Sequence, residues 1–243
     1  MVNVLSSRET HSDSDVHANS ANGNLNRLRA AVLGANDGVV SVASIVLGVA
    51  GATDSRGIIF TAGLAGLVAG ALSMGVGEYV SVSTQRDTER AFIGHEKWEH
   101  KTKPEQELAE LAGLYEGKGV TPQTAKQVAK ELTAHDALAA HLDVELNIDA
   151  EDLTNPWQAA IASLISFTVG ALIPLVSILL APPHLRFVIT FVAVTAALVL
   201  TGYLSATAGG ASRRRAIARV VIGGALAMVV TYGIGHLFGT AVS

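Results

Sequence analysis

Acidic and imidazole side chains recur at helical spacing in the middle of the chain. Glu96 and Glu99 stand three apart, with His95 and His100 flanking them. Glu107 and Glu110 repeat the spacing, and His141 and Glu145 stand four apart with Asp143 nearby. Residues three or four apart share one face of a helix. Carboxylates on adjoining helices can build an oxygen-rich cage for hard or borderline cations, and imidazole moves the preference toward iron, manganese or zinc over calcium. A single such pair is also what an ordinary solvated helix face looks like. It is the conjunction of three pairs with charges inside apolar segments that makes a metal site the expectation.

Those apolar segments hold the second set. Asp37 sits in Gly34-Ala-Asn-Asp-Gly38, and Glu78 follows Met74 by four residues, so both project from one side of a helix. A carboxylate deep in a bilayer costs several kcal/mol or more, so it normally meets a partner or an aqueous path. Near the interface the same residues reach water.

Elements must position these groups, and the composition says which kind. Of 243 residues, 49% are hydrophobic and 16% charged, and the mean hydropathy is +0.40. Soluble domains carry nearer to a quarter charged residues. The charges crowd into the N-terminal stretch, a block from Arg86 to Asp152, and Arg213 to Arg219. A bilayer core requires about 20 apolar residues in helical form. Five segments meet that: Ala30–Ala52, Gly57–Val82, Trp157–Ala181, Phe187–Ala211 and Ala216–Val242. The expected fold is therefore an all-α integral membrane protein with five transmembrane helices and a helical domain between spans two and three. The expected division is a disordered cytoplasmic tail over 1–26, spans one and two over 27–83, the inserted domain over 84–153, and spans three to five over 154–243.

Basic residues set the orientation. Arg27 and Arg29 precede span one; Arg86, Arg90, Lys97, Lys101 and Lys103 follow span two; Arg213, Arg214 and Arg215 separate spans four and five. The alternate connections carry only Arg56 and Arg186. The N-terminus and the inserted domain are thus expected in the cytoplasm. Nothing after Ile58 stops span two before Pro104, which predicts one long helix. Thr102 with Glu105 reads as a capping box for a second helix, closed by Gly117 and Gly119. Thr121-Pro122 opens a third, broken in two and reaching about Ile148. Gly34/Gly38, Gly66/Gly70 and Gly235/Gly239 suit close helix packing or dimerisation.

Much is excluded. There is no cysteine, so disulfides, thiolate zinc sites and cysteine nucleophiles are absent. A net charge of −4 gives no case for nucleic acid. No Gly-x-Ser-x-Gly element supports a serine hydrolase.

Three stretches, Gly34-Ala-Asn-Asp-Gly-Val-Val-Ser, Gly70-Ala-Leu-Ser-Met-Gly-Val-Gly-Glu-Tyr-Val-Ser-Val and Gly170-Ala-Leu-Ile-Pro-Leu, together resemble the vacuolar iron transporter family. The resemblance runs from about Leu28 to Phe238. That family takes in plant and yeast vacuolar carriers and many bacterial relatives. The resemblance implies a five-span homodimer that exports Fe²⁺, often Mn²⁺ too, from the cytosol in exchange for protons, with no enzymatic activity and no resident cofactor. It makes Asp37 and Met74 path residues and Glu96, Glu99, Glu107, Glu110 and Glu145 cytoplasmic ligands. His141 stands where plant members have methionine. Plant members also carry an acid near the position of Gly66, whereas here the acid is Glu78. The expected partners are divalent metal ions, protons, a second copy and the bilayer, and the expected location is a bacterial plasma membrane. The alternative is a membrane-anchored ferroxidase or iron store, although its usual Glu-x-x-His spacing is missing. A non-catalytic scaffold ranks last, because it gives no reason for Asp37 and Glu78.

Overall fold

The computed structural model describes the backbone of residues 9–150 and 153–242, with side chains described for 31–150, 153–207 and 209–239. Among the described residues there are seven α-helices and no strand: α1 (Glu9–Ala52), α2 (Arg56–Thr102), α3 (Pro104–Gly117), α4 (Pro122–His141), α5 (Pro156–Leu180), α6 (Arg186–Ala208) and α7 (Arg213–Val242). A π-helical turn, Leu142–Leu146, extends α4, and a short 3₁₀ turn, Pro183–Leu185, leads into α6. Five helices are long and apolar enough to cross a membrane, and they match the five segments expected. The fourth closes at Ala208, three residues early, where Gly209 and Gly210 (φ +63) turn the chain. In α1 the apolar stretch begins at Ala31. Its helical backbone begins earlier, at Glu9, inside the segment whose polar composition predicts a tail. Once a helix is nucleated, each further residue adds one hydrogen bond, so a polar lead-in can propagate from an apolar span. Met1 to Arg8 of that tail lie outside the described residues.

The chain forms two units. One comprises the chain up to Tyr79 and from Trp157 onward; the other is Val80–Pro156. In the first, α1 is the central element. Val39, Val42, Ala43, Val46 and Leu47 are buried, together with Leu67 of α2, Phe167 and Leu175 of α5, Leu198 of α6 and Met228 of α7. The opposite surfaces of the outer helices stay apolar and exposed, Val68 and Leu72 of α2 and Leu226 of α7 among them. Exposed apolar stripes of this length suit lipid rather than water.

Close approach to α1 explains its glycines. A Cβ at Gly38 would run into the Phe167 carbonyl of α5, and one at Gly170 would run into the Ala35 carbonyl. Gly235 and Gly239 of α7 meet Gly48 and Ala52 in the same way, while Gly66 and Gly70 of α2 lie against Ile45 and Phe167. All three expected glycine pairs are therefore used inside the subunit. Gly38→Leu should lower thermal stability in detergent by roughly 1–3 kcal/mol or more, because backbone cannot retreat as a side chain can. Gly113→Ala in α3, which meets nothing within 4 Å, should leave the melting temperature unchanged or slightly raised.

Two arginines stand at the opposite ends of the spans from the main basic clusters, and both are held by carbonyls just beyond helix C-termini. Arg56 donates from Nη2 to the Ala181 carbonyl at 3.5 Å, just past α5. Arg186, 4% exposed, donates from Nη1 to the Asp54 carbonyl at 2.8 Å, just past α1. Cations are favoured at helix C-termini, where carbonyls lack partners.

In the second unit, α2 continues without a break until Pro104. The residue before proline is driven out of the helical region, and Lys103 accordingly has φ −139 and ψ 45. Pro104 therefore occupies the first turn of α3, which makes Lys103 the capping residue and displaces the expected capping box. The Thr102 hydroxyl instead donates to the Trp98 carbonyl at 2.9 Å. Thr121 does cap α4 as expected, accepting from the Thr124 amide at 3.4 Å. A small core of Leu111, Ala112 and Ala129 joins α3 to α4.

Candidate metal centre

Three elements of the second unit bring four side chains together. Glu96 and His100 lie one turn apart on α2, Glu107 lies in the first turn of α3, and His141 ends α4. Their candidate ligand atoms all lie within 4.8 Å of one another. His141 Nδ1 is 3.1 Å from Glu96 Oε1 and 3.8 Å from Glu107 Oε2. His100 Nε2 is 3.3 Å from the same Glu96 oxygen. The two imidazoles meet edge to face with centroids 4.6 Å apart.

Local breaks in α4 deliver His141 to this point. Asp136 leaves helical geometry (φ −156, ψ 98), and its Oδ1 accepts from the Ala139 amide at 2.9 Å. It thereby caps a new helical segment that carries His141. The π turn after His141 closes on Asn147 in the left-handed region (φ 52). Such wide turns recur at functional sites.

The chemistry of the cluster follows from burial. Glu96 is 4% exposed, Glu107 3% and His141 0%. Among the described residues, Glu96 Oε1, His100 Nε2 and both nitrogens of His141 have no hydrogen-bond partner despite their proximity. Two carboxylates and an imidazole buried together, with a half-buried second imidazole beside them, are unfavourable without mutual hydrogen bonds. A shared cation reverses that balance, and a two-nitrogen, two-oxygen donor set suits a borderline divalent ion. Burial pushes the Glu96 carboxyl above its ordinary value near 4.5, and the charges of Glu145 and Glu107 push it further. The folded protein therefore holds the Glu96 proton more firmly than the unfolded chain does. Without metal, Glu96 should reduce stability as pH rises from about 4.5 through its raised folded value. A metal ion must displace that proton, so metal affinity should rise over the same interval. Melting curves with and without Mn²⁺ across pH 4–8 check both signs.

The nine residues singled out by sequence divide sharply. Glu96, Glu107 and His141 converge, and Glu145 stands at the rim, its Oε2 3.9 Å from His141 Nδ1 and its side chain 32% exposed. Glu99 turns toward His95 and Lys103, each at 3.3 Å. Glu110 is exposed. His100, which the sequence offers only as a flanking residue, joins the cluster. Its signal was the four-residue step from Glu96, in register with buried Ile93.

In the first unit Asp37 is exposed on α1 and its Oδ1 accepts from the Ser41 hydroxyl at 3.1 Å. Met74 packs half-buried against the main core, and Glu78 is half-buried on the same helix. Among the described residues no ion pair or hydrogen bond joins Asp37 to Met74 or Glu78. The side-chain oxygen of the neighbouring Asn36 is buried, without a partner among the described residues.

Comparison with known proteins gives a consistent picture. A sequence model of the VIT family matches residues 28–236. The chain is 44% identical over 211 residues to a vacuolar iron transporter of Acanthamoeba castellanii, covering 86% of this chain and 78% of that protein. It is 39% identical over 215 residues to vacuolar iron transporter homolog 2.1 of Arabidopsis thaliana, covering 88% and 82%. It is 38% identical over 213 residues to vacuolar iron transporter homolog 1 of Oryza sativa subsp. japonica, covering 87% and 74%.

Proposed function

The chain belongs to the VIT family, and on that footing we propose that it carries Fe²⁺, and Mn²⁺ as well, out of the cytosol in exchange for protons. The observation that carries the reading is the convergence of buried Glu96, Glu107 and His141 with half-buried His100 in a multi-pass membrane protein whose relatives are named iron transporters. Val80–Pro156 is then a cytoplasmic receiving domain. The crowding of basic residues on its side of the spans supports that orientation, and it is strengthened by Arg56 and Arg186 being held by carbonyls.

Within this reading, ions pass from the receiving domain to a path that uses Asp37, Met74 and Glu78. Carboxylates must lose their protons to bind metal, so protons arriving from the far side release the ion and reset the site. A homodimer completes the path. Its support is the exposed position of Asp37 on a span, together with small residues left open along α2 at Gly57, Thr61, Ala65, Ala69, Ser73 and Gly77. Small residues at four-residue spacing let membrane helices approach closely.

The deciding experiment is metal entry into proteoliposomes under an imposed pH gradient, comparing Fe²⁺, Mn²⁺, Zn²⁺ and Ca²⁺. Iron and manganese flux that rises with the gradient supports the carrier. Oxygen consumption with Fe²⁺ and no flux, in protein that still binds metal, moves the ferroxidase or storage reading to the front.

A further inference from the structure

The arginines at the start of α7 are unexplained by the metal site. Arg213, Arg214, Arg215 and Arg219 are all exposed. Arg213 lies over the Tyr203 ring, 5.0 Å from its centroid, which accounts for one of them. For the others every local term is unfavourable. The first turn of a helix disfavours cations, and Arg215 and Arg219, four apart, repel each other. Among the described residues no carboxylate pairs with any of the four. Arg219 also lies about 6 Å further along the helix than Arg215, inside the stretch apolar enough to span a bilayer.

The face below them is equally distinctive. At 100° per residue, Arg215, Arg219, Ile222, Leu226 and Val229 fall on one side of α7. All five are exposed, and α7 is the least buried of the five spans. Two guanidinium groups thus stand above an apolar strip at the end of a span. That profile complements a phospholipid: an anionic headgroup at the cations and an acyl chain along the strip. Guanidinium matches phosphate oxygens in paired hydrogen bonds, and a zwitterionic headgroup would bring an unwanted cation to the same place. We propose that this face of α7 binds an anionic phospholipid, with its phosphate between Arg215 and Arg219 and an acyl chain along Ile222 and Leu226.

The test uses the full chain in nanodiscs of phosphatidylcholine with a minor share of phosphatidylglycerol, followed by native mass spectrometry of the lipids retained per subunit. Two charges at the surface predict about a thirtyfold preference for the anionic lipid over the neutral one. Arg215→Gln with Arg219→Gln should bring the ratio near one. Arg214→Gln, on another face of α7, should leave most of it, and Arg215→Lys with Arg219→Lys should retain a large part. If the double Gln variant does not fold, the single Arg219→Gln change must still reduce the preference severalfold. Equal retention of both lipids by the unaltered protein overturns the proposal. So does stabilisation by inorganic phosphate alone with no lipid preference, which would mark a free-anion site, and so does a double variant that loses self-association while keeping its lipid ratio. None of these outcomes depends on iron flux.

Discussion

Glu96→Gln should remove high-affinity metal binding from the receiving domain while making the metal-free protein more stable. Glu96 Oε1 lies within 3.3 Å of both imidazoles, which makes it the central donor of the cluster. Loss of an outer-shell partner already costs roughly 10–100-fold in affinity, and a shared inner ligand should cost more. The metal-free protein benefits because a buried carboxylate crowded by Glu145 and Glu107 becomes a neutral amide of the same shape. Calorimetric titration of Fe²⁺ under anaerobic conditions would read the first effect, and thermal unfolding without metal the second. Stabilisation by a ligand depends on binding to the folded state alone, so the rise in melting temperature on adding metal should vanish in the variant. His141→Ala should give the same loss of binding, whereas Glu110→Gln, on an exposed position, should change neither quantity. Unaltered affinity in both Glu96→Gln and His141→Ala would remove this cluster from metal capture.

Asp37→Asn should reduce flux in proteoliposomes to the background of empty vesicles and leave the metal affinity of the receiving domain intact. An ionised carboxylate within a span is costly, and one hydroxyl from Ser41 at 3.1 Å offsets little of that cost. On the proposed path its complement is a cation in transit. The amide keeps the size and the contact with Ser41 but has neither the charge nor a titratable proton, so folding should survive while transport does not. Normal flux in a well-folded Asp37→Asn protein would place the path elsewhere. Because the two variants fail at different stages, measuring binding and flux on both separates capture from passage.

The spans were legible because their signal is strong: a run of apolar residues beside Arg56, Trp157 or Arg213 leaves little freedom about where a helix begins. The length of α2 was equally legible, since nothing before Pro104 can stop it. The site was only partly so. Residues three apart share a face in the loose sense, but they differ by about 60° around the axis, and a buried site accepts a narrower arc. Hence Glu96 points in and Glu99 out, and Glu107 points in while Glu110 points out. Which member of each pair is chosen depends on how α2, α3 and α4 pack, and no local pattern contains that. His100 reads as a mere flanking residue for the same reason. The glycine pairs show the converse limit. Their spacing announced close contact, but only tertiary structure shows that Gly38 faces Phe167 of its own chain and is therefore spent before any second copy arrives. Thr102 failed as a cap because a proline two residues later overrides a favourable side chain.

The wide turn at Leu142–Leu146 has a consequence for anyone who edits the gene. A π turn holds the equivalent of one inserted residue within an otherwise α-helical path. Position along this stretch is therefore a matter of residue number more than of residue kind. Asp143 is exposed and can be exchanged for many side chains at little cost. Deleting its codon is another matter: Glu145 would then follow His141 by three residues instead of four, and the turn that sets it at the rim of the site would close to ordinary α pitch. Here a missing residue alters a geometry that an exchanged Asp143 leaves in place.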